Sequence, residues 1–201
     1  MNFFKKLLAL VVPSWRWPGL PTDVPQEWRG CIFIGSTEPI VHEAEKVITT
    51  FVPRVFLLPL KTTGLALYAK PDLSASAWYR QPVGAGEIGQ IYFRPASNWT
   101  VEKRRTSPVH EYAHWVYDVA TGILSPEMRE AWEAAWHHAY DGRYLPTDYA
   151  AVNPTEGHSE CFERYVYGSA AAGKLDKRLR HQLDAEASYL TGRFGGDGAR
   201  L

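Results

Sequence analysis

Cysteine is scarce in this 201-residue chain: Cys31 and Cys161 are the only 2, too few for a disulfide framework or a Cys-rich zinc module. They can form one bridge or lie as buried free thiols, and two thiols suit either redox compartment. Net charge is missing as well. Lys plus Arg equals Asp plus Glu at 22 each, so no overall field draws the chain to polyanions, and nucleic acid is not an expected partner. There is no internal repeat, and no apolar run approaches the roughly 20 residues that a membrane-spanning helix needs. The N-terminal run Leu7-Leu8-Ala9-Leu10-Val11-Val12 follows Lys5-Lys6 in the order of an export signal, but Pro13 stops it and no small-residue cleavage site comes after. It reads either as an export signal or membrane tether, which would place the protein outside the cell or in its envelope, or as an apolar extension of a cytoplasmic domain.

What is present is ordinary for a globular domain: 45% apolar and 22% charged residues, enough for one core and a monomer. Prolines at 13, 18, 21 and 25 mark residues 13–27 as an extended linker, so the expected organisation is an N-terminal segment and linker over 1–27, a folded domain over 28–193 and a mobile glycine-rich tail over 194–201. Cys31 to Ile34 suits a short buried strand. Ile40, Ala44, Val47, Ile48 and Phe51 fall at helical spacing up to Pro53. Val55 to Leu60 and Leu65 to Tyr68, separated by Lys61-Thr62-Thr63-Gly64, are expected to form a hairpin, and Ile88 to Arg94 a further strand.

From Thr106 the period is helical. Ser107 and Pro108 suit a helix start and Gly122 its end, with Val109, Ala113, Val116 and Ala120 as the apolar stripe. A second helix opens at Ser125-Pro126-Glu127 and should bury Met128, Trp132, Ala135, Trp136 and Ala139. A third spans about Thr155 to Tyr167, and a fourth runs from Leu175 to Leu190. The fold class is therefore α+β, a small mixed sheet with one helix followed by a mostly helical half.

The chemistry lies in His110-Glu111-Tyr112-Ala113-His114. On a helix the two histidines lie one turn apart on one face, where both can bind one metal ion, and Glu111 beside them can reach a water on that metal. A zinc ion acting on water needs a third protein ligand and an open fourth position. The metzincin solution is absent, because Trp115 to Ala120 supplies neither its glycine nor its third histidine. The other common solution is a glutamate on a later helix. Glu156 and Glu160 offer two carboxylates one turn apart, the first as ligand and the second orienting a ligand histidine through its free ring nitrogen; the alternative is an acidic first turn complementing the helix dipole. His158 is a rival third ligand. His137 and His138 are expected to be solvated.

The order HExxH, then Tyr149 seven residues before Glu156, then Glu160 four residues on resembles the peptidase domain of anthrax lethal factor and of the Pro-Pro endopeptidases, and more broadly the glutamate-ligand zincins to which thermolysin-type enzymes belong. The resemblance covers about residues 30 to 168. It implies a zincin-like metallopeptidase fold and one Zn2+ per chain on His110, His114 and Glu156. It implies Glu111 as catalytic base, Glu160 behind a ligand histidine, and Tyr149 donating to the oxyanion in preference to Tyr144 or Tyr165. It also implies that the strand Ile88 to Arg94 pairs with an extended protein or peptide substrate. Gly157-His158-Ser159 departs from the family, whose members carry aromatic and small apolar residues there. The expected function is a zinc-dependent endopeptidase. The rivals are a metal-binding module without activity and a metallopeptidase-like partner of a DNA-binding regulator.

Overall fold

The computed structural model describes residues 19–83, 86–96, 98–123, 125–168 and 175–195. The N-terminal run up to Val12, Pro13 and Pro18, and the tail from Gly196 lie outside the described residues. A short 3-10 turn, Gln26–Trp28, precedes strand β1, Phe33–Ile34. Helix α1, Pro39–Phe51, follows, then two single-turn helices, α2 (Arg54–Leu57) and α3 (Leu60–Thr63). Strands β2 (Leu65–Ala69), β3 (Ala77–Arg80) and β4 (Gly89–Phe93) complete the sheet. The second half is helical: α4 (Val101–Tyr117) with a π-helical turn over Asp118–Ile123, α5 (Pro126–Asp141), a 3-10 turn at Tyr149–Ala151, α6 (Pro154–Tyr167) and α7 (Lys177–Phe194). The class is α+β. Among the described residues no helix is long and apolar enough to cross a membrane.

The sheet order is β1-β2-β4-β3, with β1, β2 and β4 parallel and β3 antiparallel to β4. Two expectations are corrected here. Val55 to Leu60 is no hairpin arm: Pro53 and Pro59 each open a helical turn, and β2 pairs in parallel with β1 and β4, not with the segment before it. Nor is β4 the free edge. It lies inside the sheet, whose edges are β1 and β3, and β3 is a strand absent from the expectation above. Only four residues long, β3 carries the strand formers Trp78 and Tyr79, but a strand this short is held by its pairing with β4.

The apolar helix stripe is buried as patterned, with Val109, Ala113 and Ala120 at 0% exposure and Val116 at 1%. On α5 the buried residues are Trp132, Ala135, Trp136 and Ala139, while Met128 stays partly exposed. Helix α4 begins two turns earlier than the Ser107-Pro108 signal, because the Thr100 hydroxyl accepts from the Lys103 N–H and caps it there. Pro108 sits inside the helix, and Arg104 forks onto Glu43 of α1 to hold the added turns. Upstream, Val24 is buried against the core and Leu20 packs on it. Both cysteines are free thiols, and burial raises the Cys161 thiol to about 12.

Gly157 explains part of the departure in α6. A Cβ built on it would lie 2.3 Å from Cδ1 of Trp136 and 3.0 Å from the Ala150 carbonyl oxygen, and the Trp136 Nε1–H donates to that same carbonyl at 2.8 Å. The indole lies flat where a side chain would be. Gly157→Ala should therefore lower stability by about 1–3 kcal/mol, the usual cost of overpacking. Gly192→Ala, in an exposed part of α7 with nothing within 4 Å, should raise it by about 0.5–1 kcal/mol. Thermal melts of the two variants check the opposite signs.

Candidate metal centre

Helices α4 and α6 face each other. On α4, His110 and His114 stand one turn apart with their rings at 79° and centroids 5.0 Å apart. On α6, the Asn153 side chain accepts from the Glu156 N–H at 2.8 Å, a cap that starts the helix one residue ahead of expectation and sets Glu156 in its first turn. The Glu156 Oε2 then lies 3.1 Å from Nε2 of His110 and 3.4 Å from Nε2 of His114. One nitrogen from each histidine and one Glu156 oxygen all lie within 4.8 Å of one another.

Behind His110 the arrangement goes beyond the sequence reading. Its Nδ1 is 3.5 Å from Glu160, but 2.9 Å from Glu163. Glu163 is therefore the nearer carboxylate, and sequence reasoning missed it. The signal was present: Glu156, Glu160 and Glu163 stand at i, i+4 and i+7, a single helix face. Glu160 is shared, its Oε2 accepting from Thr147 Oγ1 at 3.0 Å and from Arg164 at 3.4 Å. Burial acts to lower the His110 pKa, and the carboxylates of Glu156, Glu160 and Glu163 more than reverse it, leaving it well above the ordinary histidine value. Burial pushes Glu156 up, but His110 and His114 pull it well below the carboxylate range.

Glu111 lines a cleft of about 480 Å3 together with His110, Tyr149, Glu160, Glu163 and the Ala75–Ala77 stretch. Burial raises its pKa, opposed by His110 and His114, and the Tyr79 backbone N–H donates to its carboxylate. That donor follows from the pairing of β3. The Arg94 N–H donates to the Ser76 carbonyl, so by antiparallel alternation Ala77 and Tyr79 turn their backbone groups away from β4, toward the free edge. Tyr149 is half exposed on its 3-10 turn, its ring centroid 5.8 Å from that of His110 and its hydroxyl against Glu156, burial first and Glu156 next raising its pKa.

The remaining candidates lie elsewhere. His158 is 1% exposed and points away from the cleft, with Nε2 3.0 Å from Oε2 of Glu186 on α7 and its ring among Tyr117, Trp132 and Phe162. It is not part of the group. Tyr165 donates to Asp184 at 2.8 Å, Tyr144 is exposed and outside the cleft lining, and His137 and His138 are exposed.

No family model, curated protein or solved structure matches this chain. The donor set must therefore speak for itself. Two imidazole nitrogens and one carboxylate oxygen, one imidazole backed by a carboxylate and itself lining the cleft, suit zinc with a free coordination position. On this geometry Glu163→Gln should weaken zinc binding by about 10- to 100-fold and Glu160→Gln by less; competition against a chelating indicator measures both. In the metal-free protein the carboxylates around His110 raise its pKa and favour the protonated ring, so a metal on Nε2 competes with a proton there. Zinc affinity should fall as pH falls, and calorimetry near neutral pH in buffers of different ionisation enthalpy should register proton release.

Proposed function

We propose that the chain is a zinc-dependent endopeptidase with a zincin-like fold and a glutamate third ligand. The observation that carries this reading is the convergence of His110 Nε2, His114 Nε2 and Glu156 Oε2 beside a cleft that Glu111 also lines. Zinc held by His110, His114 and Glu156 would supply Lewis acidity, polarising a peptide carbonyl and bringing the pKa of water near neutrality.

The other steps belong to the chain's own groups. Glu111 accepts the proton of the attacking water and returns it to the leaving amine; burial, which raises its pKa, brings it closer to that task. The Tyr79 N–H fixes the orientation of its carboxylate. Tyr149 offers its hydroxyl to the oxygen that gains charge in the tetrahedral transition state. Glu163, with Glu160, holds the His110 ring from behind. The outward backbone groups of Ala77 and the Tyr79 carbonyl let an extended peptide add to the β3 edge, which takes over the role expected of β4.

The test separates this reading from a metal-binding module without activity. Glu111→Gln cannot accept a proton but removes no ligand. It should retain about one zinc per chain, the stoichiometry of a single mononuclear site, while hydrolysis falls by about 10²–10⁴-fold. His110→Ala and His114→Ala should lose the metal. Zinc content by atomic emission and digestion of a peptide library by the zinc-loaded protein give the two readouts. Full zinc in both histidine variants, or undiminished turnover in Glu111→Gln, would remove the assignment.

A further inference from the structure

The face of the sheet opposite the core residues Leu67, Ile91 and Phe93 carries one aromatic ring from each strand: Phe33 of β1, Tyr68 of β2, Tyr92 of β4 and Trp78 of β3. The register sets Tyr68 and Trp78 directly opposite Tyr92, so the rings form a row across the sheet. Centroids lie 6.3 Å apart for Phe33 and Tyr68, 5.5 Å for Tyr68 and Tyr92, and 5.9 Å for Tyr92 and Trp78, the last two pairs being near parallel at 22° and 23°. The row ends on the edge beside the cleft, where Trp78 is 48% exposed. Two residues on, and on the same face, stands the exposed Arg80. Its guanidinium donates to the Gln90 amide oxygen at 3.5 Å, an oxygen that also accepts from the Tyr92 hydroxyl. Among the described residues no carboxylate pairs with it.

We infer that Trp78 and Arg80 select the substrate: the strand that adds to the β3 edge carries an aromatic side chain opposite Trp78 and a carboxylate opposite Arg80. The inference rests on the peptidase reading and adds the substrate class. The backbone supplies the register. Because the Arg94 N–H donates to the Ser76 carbonyl, alternation commits the backbone of Trp78 to Tyr92 of β4. A residue of an antiparallel substrate opposite Trp78 therefore forms a pair without hydrogen bonds, the kind in which side chains approach most closely. Substrate residues opposite Ala77 and Tyr79 turn the other way, toward the cleft and His114. The substrate ring becomes the fifth of the row and covers the side of Trp78 that Tyr92 leaves open. Its partner carboxylate meets the free charge of Arg80. Running antiparallel to β3, such a substrate reads carboxylate, any residue, aromatic from its N-terminal side.

The test measures binding apart from cleavage. Fluorescence anisotropy of the full-length Glu111→Gln protein, with and without added zinc, compares labelled extended peptides that contain Asp-Thr-Phe, Asn-Thr-Phe, Asp-Thr-Ala or the reversed Phe-Thr-Asp. The aromatic and the carboxylate should each tighten binding by about two- to fivefold, the scale of one cross-strand pair, and the reversed order should lose the gain. Introduced into the same protein, Trp78→Ala should abolish the preference for Phe over Ala and keep that for Asp over Asn. Arg80→Gln should do the opposite, and high salt should erase the Asp preference alone. A merely structural role for either residue would weaken all four peptides alike. With wild-type protein the four peptides should rank in the same order by kcat/KM. Equal binding of the four peptides, or preferences that survive both substitutions, overturns the selection even if every peptide is cleaved. The expected preferences without any cleavage by the wild type overturn the peptidase reading and keep the edge site.

Discussion

The packing of α4 against α6 governs this molecule, because it sets two imidazoles against three carboxylates. Glu156, Glu160 and Glu163 on one face of a helix would repel one another in isolation. Opposite them stands His110, with Nε2 toward Glu156 and Nδ1 toward Glu163 and Glu160. Without a metal, a proton on each ring nitrogen satisfies both sides. With a metal on Nε2, the Nδ1 proton remains with Glu163, so the same contacts serve a protonated and a ligated histidine.

The rest of the helical half keeps α6 in the rotation that this contact requires. The Trp132 and Trp136 indoles, one turn apart on α5, donate to the carbonyls of Pro154 and Ala150 at 2.8 Å each and so secure the segment leading into α6. On the opposite face of α6 the His158–Glu186 pair, both nearly inaccessible to water, ties it to α7. Losing either partner would leave an unpaired polar or charged group in the core. The residues that depart from the resembling family therefore have structural work: Gly157 admits the indole, His158 makes the buried pair, and Ser159 is fully buried.

The other wall of the cleft is β3, and its relation to α4 is the least expected part of the fold. Its Tyr79 gives a backbone N–H to Glu111 and a ring parallel to that of His114 at 6.3 Å, while its hydroxyl lies beside Asp118, at the start of the π-helical turn. A single edge residue thus touches the candidate base, a candidate ligand and Asp118. Gly89 allows this closeness, since a Cβ there would lie 2.5 Å from Trp115 and 3.2 Å from Tyr79.

Local patterning alone determined in outline the first helix and the four longer C-terminal ones, and the face that the candidate residues share. His110 and His114 share a face because of their spacing, Asn153 and Pro154 announce the start of α6, and the stripe from Val109 to Ala120 reports its own burial; each depends on neighbours within a turn or two. The tertiary structure decided what depends on distant partners. Whether Glu160 or Glu163 lies closer to His110 depends on how α6 is rotated against α4, and His158 is excluded from the group by Glu186, 28 residues on. Val55 to Leu60 has strand-forming side chains yet turns helical behind its prolines, and Ala77 to Arg80, too short for its Trp78 and Tyr79 to mark a strand alone, is extended by β4. A four-residue edge strand is specified by the hydrogen-bonding groups of its neighbour, which its own residues do not encode.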